Sequence, residues 1–488
     1  MYDIVPLSAD ILKEDPMENY SYYSYHDVPC VLIEREDRIT LIPCEKEDYK
    51  RLFNYMHNFD FEIDYSDDIY KYKHAFIHIQ LHGFDSIDLY PDYIIHSISQ
   101  KICSMEITGP AVDDFFSPST YFFYKSRNGN KNFGDIVYNK EVADKWIIDY
   151  KDSKITITLY YGSVLRRGIA SDLMLHPRLK IDFDETVDYN FIFCIYNSIK
   201  RFFNFILYKS ECGKYDVELF GMIDDKFSSI GHLFDCELTN ATYDKQIGRI
   251  CYSDYKEYVQ VILQFIFNDP SICLKHLPKY GVRDWERDDI ELLYTQLFTA
   301  FEIECQKQKK KYNSADDSRI KSIKSRLINV IDEFSTNHEF DYEDDEKQFI
   351  KNSRQRILQL GTQFGQKAKI INAYSILSSS IEELLPDILY RHKKYRSVKM
   401  LTEKQINDIA KKLTEMRGTI VHGGEHSALS LEDCQLINLF EVIIYAQMLD
   451  RAGISPADIK LIISSSLFHH HDLFNKAMET LDSNNQES

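Results

Sequence analysis

The amino-acid sequence predicts an α+β protein, with a β-rich N-terminal region followed by an all-α C-terminal region. Three observations lead there. Apolar residues alternate with period two over about 29–183, they recur at i, i+3, i+4 and i+7 from Trp285 onward, and most of the net negative charge lies in the first of these regions. In a chain of 488 residues with 44% apolar content, each region is long enough to bury its own core.

The β-rich region justifies itself segment by segment. Val31–Ile42 reads as a hairpin turning at Glu36-Asp37, and Lys154–Tyr161 (KITITLYY) alternates as a half-buried strand does. Further strands are expected at Ala75–Leu81, Ser86–Leu89, Tyr121–Tyr124 and Arg178–Phe183. Short strands separated by polar turns point to a sandwich or an irregular barrel. A Phe-rich helix over Tyr189–Tyr208, a strand over Tyr215–Met222 and a helix over Glu257–Phe267 complete the region.

The helical pattern then runs through Ile290–Phe301, Ile320–Ile331 and Ala368–Leu385. Ser314-Ala-Asp-Asp, Thr402-Glu-Lys-Gln405 and Ser430-Leu-Glu-Asp433 are capping boxes that open helices, and Gly423-Gly424 ends the helix begun after Thr402. The expected organisation is a regulatory region over 1–270, a helical domain over 271–475 and a flexible tail over 476–488.

Several function classes are excluded. There is no GxxxxGK[ST], GxGxxG or HExxH, so P-loop, Rossmann and zincin chemistries have no support. Ten cysteines without a CxxC read as small buried residues in a reducing compartment. His74, His78 and His82 fall on one face of an alternating strand, and His469-His-His-Asp472 is a surface run, so neither is taken as a metal site. No metal and no cofactor is expected. No stretch of 18 apolar residues occurs, and the first fifteen residues have neither a basic nor a continuous apolar segment, so a cytoplasmic location without membrane partners is expected.

A net charge of −19 argues at first against a nucleic-acid partner. Residues 271–488, however, hold 30 basic and 33 acidic residues, so the first 270 carry −16 of that charge. Lys307, Lys309, Lys310 and Lys311, then Arg391, Lys393, Lys394, Arg396 and Lys399, then Lys411-Lys412 form basic clusters in the near-neutral half. Lys393, Lys394, Arg396, Lys411 and Lys412 are the candidate RNA-binding residues; a solvated helix face is the alternative for each.

One constellation carries chemistry. Met416-Arg-Gly-Thr-Ile-Val-His-Gly-Gly424 places Arg417 and His422 near a helix end, where Gly418 and the terminal glycines allow local unwinding. A histidine can move the proton of a ribose 2′-OH while a planar guanidinium stabilises the charged phosphorane. The plainer alternative is a solvated Arg417 and a helix-capping His422.

This Arg-x4-His phrase, with an amphipathic helix before it and a long helix over Leu431–Ala452 after it, resembles the signature of HEPN domains, specifically the C-terminal HEPN module of ApeA-type anti-phage proteins. The stretch Gly109–Tyr124 (GPAVDDFFSPSTYFFY) and the helix near Phe202–Phe205 are similar to the N-terminal region of that family. The resemblance implies a β-rich sensor region before a HEPN helical bundle, and a metal-independent endoribonuclease. In such an enzyme Arg417 and His422 act together in a cleft formed by a homodimer, and RNA is cut to a 2′,3′-cyclic phosphate and a 5′-OH. It further implies tRNA or mRNA as substrate, a phage-derived protein trigger at the N-terminal region, and abortive infection as the outcome. Glu302, on the first helix of the domain (LFTAFE), is implied as an accessory carboxylate, with Glu304 close by and a purely structural pairing as the alternative. Family members usually carry a polar residue, often Asn, where this chain has Gly418; that departure leaves open a non-catalytic HEPN dimer that binds RNA or serves as a scaffold.

Overall fold

The computed structural model describes residues 19–25, 27–35, 38–55, 61–66, 69–83, 86–118, 141–164, 174–208, 212–236, 252–269, 287–312, 318–336, 342–359, 365–390, 392–421 and 430–465. The protein is mixed α+β, and the chain divides into two compact units, Met1–Pro270 and Ser271–Ser488.

The first unit is built on an antiparallel sheet. Its strands are β1 (Asn19–Tyr25), β2 (Val28–Glu34), β3 (Ile39–Pro43), β4 (Phe61–Tyr65), β5 (Tyr72–His82), β6 (Ile87–Ser97), β7 (Ile102–Thr108), β8 (Glu141–Tyr150), β9 (Ser153–Val164), β10 (Met174–Thr186), β11 (Asp216–Ile223) and β12 (Lys226–Asp235). Helices α1 (Asp48–Tyr55), α2 (Pro110–Phe115), α3 (Tyr189–Ile206), α4 (Tyr252–Tyr255) and α5 (Val259–Asn268) accompany them. The hydrogen-bonded path runs β1-β2-β3-β6-β12-β11-β7-β10-β9-β8, and the β4–β5 hairpin branches from β6.

One continuous sheet therefore replaces the expected sandwich or barrel, and β6 is the reason. It extends well past the expected Ser86–Leu89, because Tyr93–Ser97 are all buried. A strand covered on both faces loses the period-two signal that marks a half-buried one. Its length serves three neighbours: residues 87–89 pair with β3, residues 93–97 pair with β12, and β5 runs along the other edge. Gly231 of β12 permits the fork, since a Cβ there would strike the His96 carbonyl oxygen.

The β2–β3 hairpin pairs Glu34 with Ile39, and its turn at Glu36-Asp37 lies outside the described residues, as does Tyr121–Tyr124. Val28, Leu32, Leu41, Ile63, Ile77 and Leu89 pack into one apolar cluster. An aromatic cluster joins Phe115 and Phe116 to Phe203 of α3, Tyr252 of α4 and Trp146 of β8. The outer edge of β8 is closed by Gln264 of α5, whose amide donates to the Asp149 carbonyl at 2.8 Å and accepts from the Asp149 N–H at 3.0 Å. Such pairing protects an edge strand from further association.

The second unit is helical: α6 (Arg287–Lys307), α7 (Lys309–Tyr312), α8 (Ser318–Thr336), α9 (Asp344–Gln359), α10 (Gln366–Ile381), the short α11 (Leu385–Ile388), α12 (Glu403–Val421), α13 (Leu431–Arg451) and α14 over 456–465. Helices α6, α10, α12 and α13 pack pairwise as a bundle, while α8 and α9 pack on each other. Every residue from Cys434 to Leu449 is buried, so α13 is the axis of the unit and is wrapped on all sides. It opens at the Ser430/Asp433 capping box. The Ser314 box, Gly423-Gly424 and the 476–488 segment lie outside the described residues. Among the described residues no helix is long and apolar enough to cross a membrane.

Candidate active site

Arg417 is positioned by the pattern of the helix that carries it. The Thr402 box starts α12, with the Thr402 N–H donating to Gln405 Oε1 at 2.8 Å. From there Ile406, Ile409, Ala410 and Leu413 form a buried stripe. Arg417 continues that stripe one turn beyond Leu413, toward α6. On α6, the buried Tyr294 hydroxyl donates to the Leu413 carbonyl at 2.5 Å, and Phe298 lies one turn further along. The Arg417 guanidinium sits 5.3 Å from the Phe298 ring centroid, a cation–π arrangement. It makes no ion pair or hydrogen bond among the described residues.

The local unwinding that Gly418 would allow does not take place at that residue. The backbone stays helical through Val421, because a glycine with nothing crowding it has no reason to leave the hydrogen-bonded ladder; a Cβ at this position would meet no atom within 4 Å. His422 lies outside the described residues.

The remaining predicted residues fall into three groups. Glu302 is engaged by Lys369 of α10, at 2.5 Å, and its other oxygen is buried without a partner among the described residues. Glu304 is fully buried and accepts from Arg451 at 2.7 and 2.9 Å, which ties α6 to the end of α13. Lys412 pairs with Asp433 at the start of α13. Burial alone would push the Asp433 carboxyl up, but hydrogen bonds from Lys412 and Ser430 outweigh it and hold the group below its ordinary range. Lys411 reaches Glu415 at 3.6 Å on the solvated face, and Lys394 reaches Asp408 at 3.2 Å. Lys393 and Arg396 are exposed, with no carboxylate partner among the described residues.

Two features were missed by the sequence reading. His392 is buried behind this basic turn, with Nδ1 accepting the Lys394 N–H at 3.2 Å, which places the neutral ring's proton on Nε2. Burial lowers its pKa; Glu432 and Asp433 oppose this, while Lys412 and Lys394 reinforce it. Gln435, two residues past Asp433, is fully buried, and neither amide atom has a partner among the described residues. An orphaned buried amide costs about 1–3 kcal/mol. Nothing in the pattern flags either residue, since one sits in a charge run and the other in a continuous apolar helix.

The N-terminal unit has its own polar centre. Glu34 lies 2.9 Å from Lys73 and 2.7 Å from His96, and Tyr65 donates to it at 3.1 Å. Burial would raise the Glu34 carboxyl, yet His96 and Lys73 together bring it below its ordinary value. Beside this network opens a cleft of about 590 Å³ lined by Glu62, Asp64, Lys71, His74, Asp188 and Tyr189. His74 is itself buried, 2.8 Å from Asp64 and stacked on Tyr189; His78 and His82 on the same strand are exposed. Burial pushes the Cys30, Cys236 and Cys305 thiols up to about 12, so these cysteines are not thiolate nucleophiles. No family model, no curated protein and no solved structure matches this chain.

Proposed function

We propose that the helical unit is a HEPN-type, metal-independent endoribonuclease that acts as a homodimer. The observation that supports this reading is the state of Arg417. It is a guanidinium held over an aromatic ring, with no carboxylate partner among the described residues, at the end of the helix that leads into His422. Such a cation is available to a phosphate, whereas Lys307, Lys369, Lys411, Lys412 and Arg451 of the same bundle are paired with carboxylates.

In this reading His422 takes the proton from a ribose 2′-OH. The 2′-oxygen then attacks phosphorus, Arg417 stabilises the charge of the phosphorane, and the P–O5′ bond breaks to leave a 2′,3′-cyclic phosphate. The departing 5′-oxygen leaves as a hydroxyl after taking a proton from the active-site histidine. Lys393 and Arg396, which have no carboxylate partner among the described residues, can hold flanking phosphates; Lys394, Lys411 and Lys412 would first have to release their carboxylates. The N-terminal unit would sense a phage-derived protein, and tRNA or mRNA cleavage in the cytoplasm would abort infection.

A non-catalytic RNA-binding or scaffold dimer is the second reading. It is favoured by Gly418 and by the engagement of Glu302 with Lys369 instead of Arg417. Digestion of tRNA and mRNA in EDTA separates the two. The ribonuclease reading expects cutting by the wild type that falls about 10²- to 10⁴-fold in both Arg417→Ala and His422→Ala. Equal cutting by all three proteins, or none by the wild type with toxicity that survives His422→Ala, overturns it in favour of the scaffold.

A further inference from the structure

Helices α8 and α9 stand apart from the bundle in their packing. Among the described elements, each has the other as its one substantial partner, tied by Arg354 donating to Asp332 at 2.6 and 3.1 Å and by contact of the Phe334 and Tyr342 rings. Apolar side chains are nevertheless left outside. Ile323, Leu327, Val330 and Phe334 of α8 are 58%, 45%, 61% and 51% exposed, and Phe349 of α9 is 72% exposed. The α8 positions advance by four, three and four residues, which places them on one stripe about 16 Å long with the spacing of a helix-packing seam. A stripe of this kind on a soluble face marks an interface.

The charges beside the stripe identify the occupant. Residues 318–326 hold four basic and no acidic residues, 332–346 hold eight acidic and no basic residues, and 347–356 hold four basic and no acidic residues. Arg354 meets Asp332 and Lys347 meets Asp344, so the α9 basic run lies beside the acidic residues and offsets them only in part: among the described residues the hairpin is basic at the start of α8 and net acidic where α8 ends and α9 begins. A surface with a positive end, an apolar middle and a negative end is complementary to itself when rotated by 180° about an axis across its middle. Parallel stacking would set like charges together. RNA would be repelled by the tip.

We propose that the α8–α9 hairpin is a homotypic interface, in which two copies of this chain pair their hairpins antiparallel as an intermolecular four-helix bundle. The basic end of each hairpin faces the acidic tip of the other, and the Ile323–Phe334 stripes meet between them. This does not depend on whether RNA is cut, and it adds an association surface remote in sequence from Arg417.

The test is the mass of the full-length protein by sedimentation velocity and light scattering at tens of micromolar. The wild type should associate, and Leu327→Gln with Phe334→Gln should halve its mass while helical circular dichroism is retained. Lys324→Glu with Arg326→Glu, and separately Asp344→Lys with Asp345→Lys, should each weaken association at least tenfold. An equimolar mixture of those two charge variants should restore it, because each then meets its opposite. A wild type of single-chain mass, a stripe variant that keeps the wild-type mass, or a mixture that does not reassociate overturns the proposal. Should the stripe variant fail to fold, the charge variants alone decide.

Discussion

The two units differ in where they most visibly depart from the inside–outside rule. The sheet unit carries charge inward: Lys73 and Glu106 are buried, the first paired with Glu34 and the second with Arg178 and Tyr160. The helical unit also buries charge, in the Glu304–Arg451 pair, but its conspicuous departure is the apolar stripe of α8 left exposed. Buried charges that find partners within one unit are structural ties, and they say little about function. Exposed apolar rows, and cations such as Arg417 that have no ionic partner among the described residues, leave an interaction unfinished, and those are the places to look for partners.

The largest effect expected from breaking this contrast is in the sheet. Lys73→Met removes the ammonium from a mostly buried Glu34 and should cost the N-terminal unit about 3 kcal/mol. Urea unfolding followed by Trp146 fluorescence in a Trp285→Phe background reads this unit by itself. Adding Glu34→Gln to Lys73→Met should recover part of the loss; an unchanged midpoint in the single variant would show that the ion pair carries no net stability.

A smaller effect is expected at the candidate site. Gly418 is helical with open space around its Cβ position, so Gly418→Ala should stabilise the helical unit by about 0.5–1 kcal/mol. A destabilised Gly418→Ala protein would mean that the glycine serves a conformation other than the helix seen here.

The smallest effect is a pH dependence. His392 has its folded pKa depressed below the ordinary 6.5, chiefly by burial, so the fold favours the neutral ring. Its contribution is fully present above 6.5. As pH falls through 6.5 toward the lowered folded value, the unfolded chain binds the proton first and stability is lost. Melting of the helical unit between pH 8 and 5.5 should therefore slope downward with acid, and less so in His392→Gln. A slope identical in both proteins would remove His392 as its source.

Much of the secondary structure was legible because burial of one face leaves a period in the sequence. The Lys154–Tyr161 alternation lies within β9, and the Phe-rich run became α3 with Asp188 capping it through the Phe191 N–H. The Thr402 and Ser430 boxes were readable because a cap depends on residues three apart, and both formed with the donors their chemistry requires. The Arg417 position was readable as a motif. Its environment was not, since Tyr294 and Phe298 come from a helix more than a hundred residues away.

What the sequence by itself determined is local: period, caps, the partition of charge between two regions, and the residues that could do phosphoryl chemistry. Tertiary structure decided what those residues meet. It joined the strands into one forked sheet through a doubly buried β6, gave Glu302 to Lys369 and Lys412 to Asp433, and set Arg417 on the Phe298 ring. The physical reason is that a side chain's rotamer and backbone preferences depend on near neighbours in the chain, whereas burial and ion pairing depend on which distant elements fold against it.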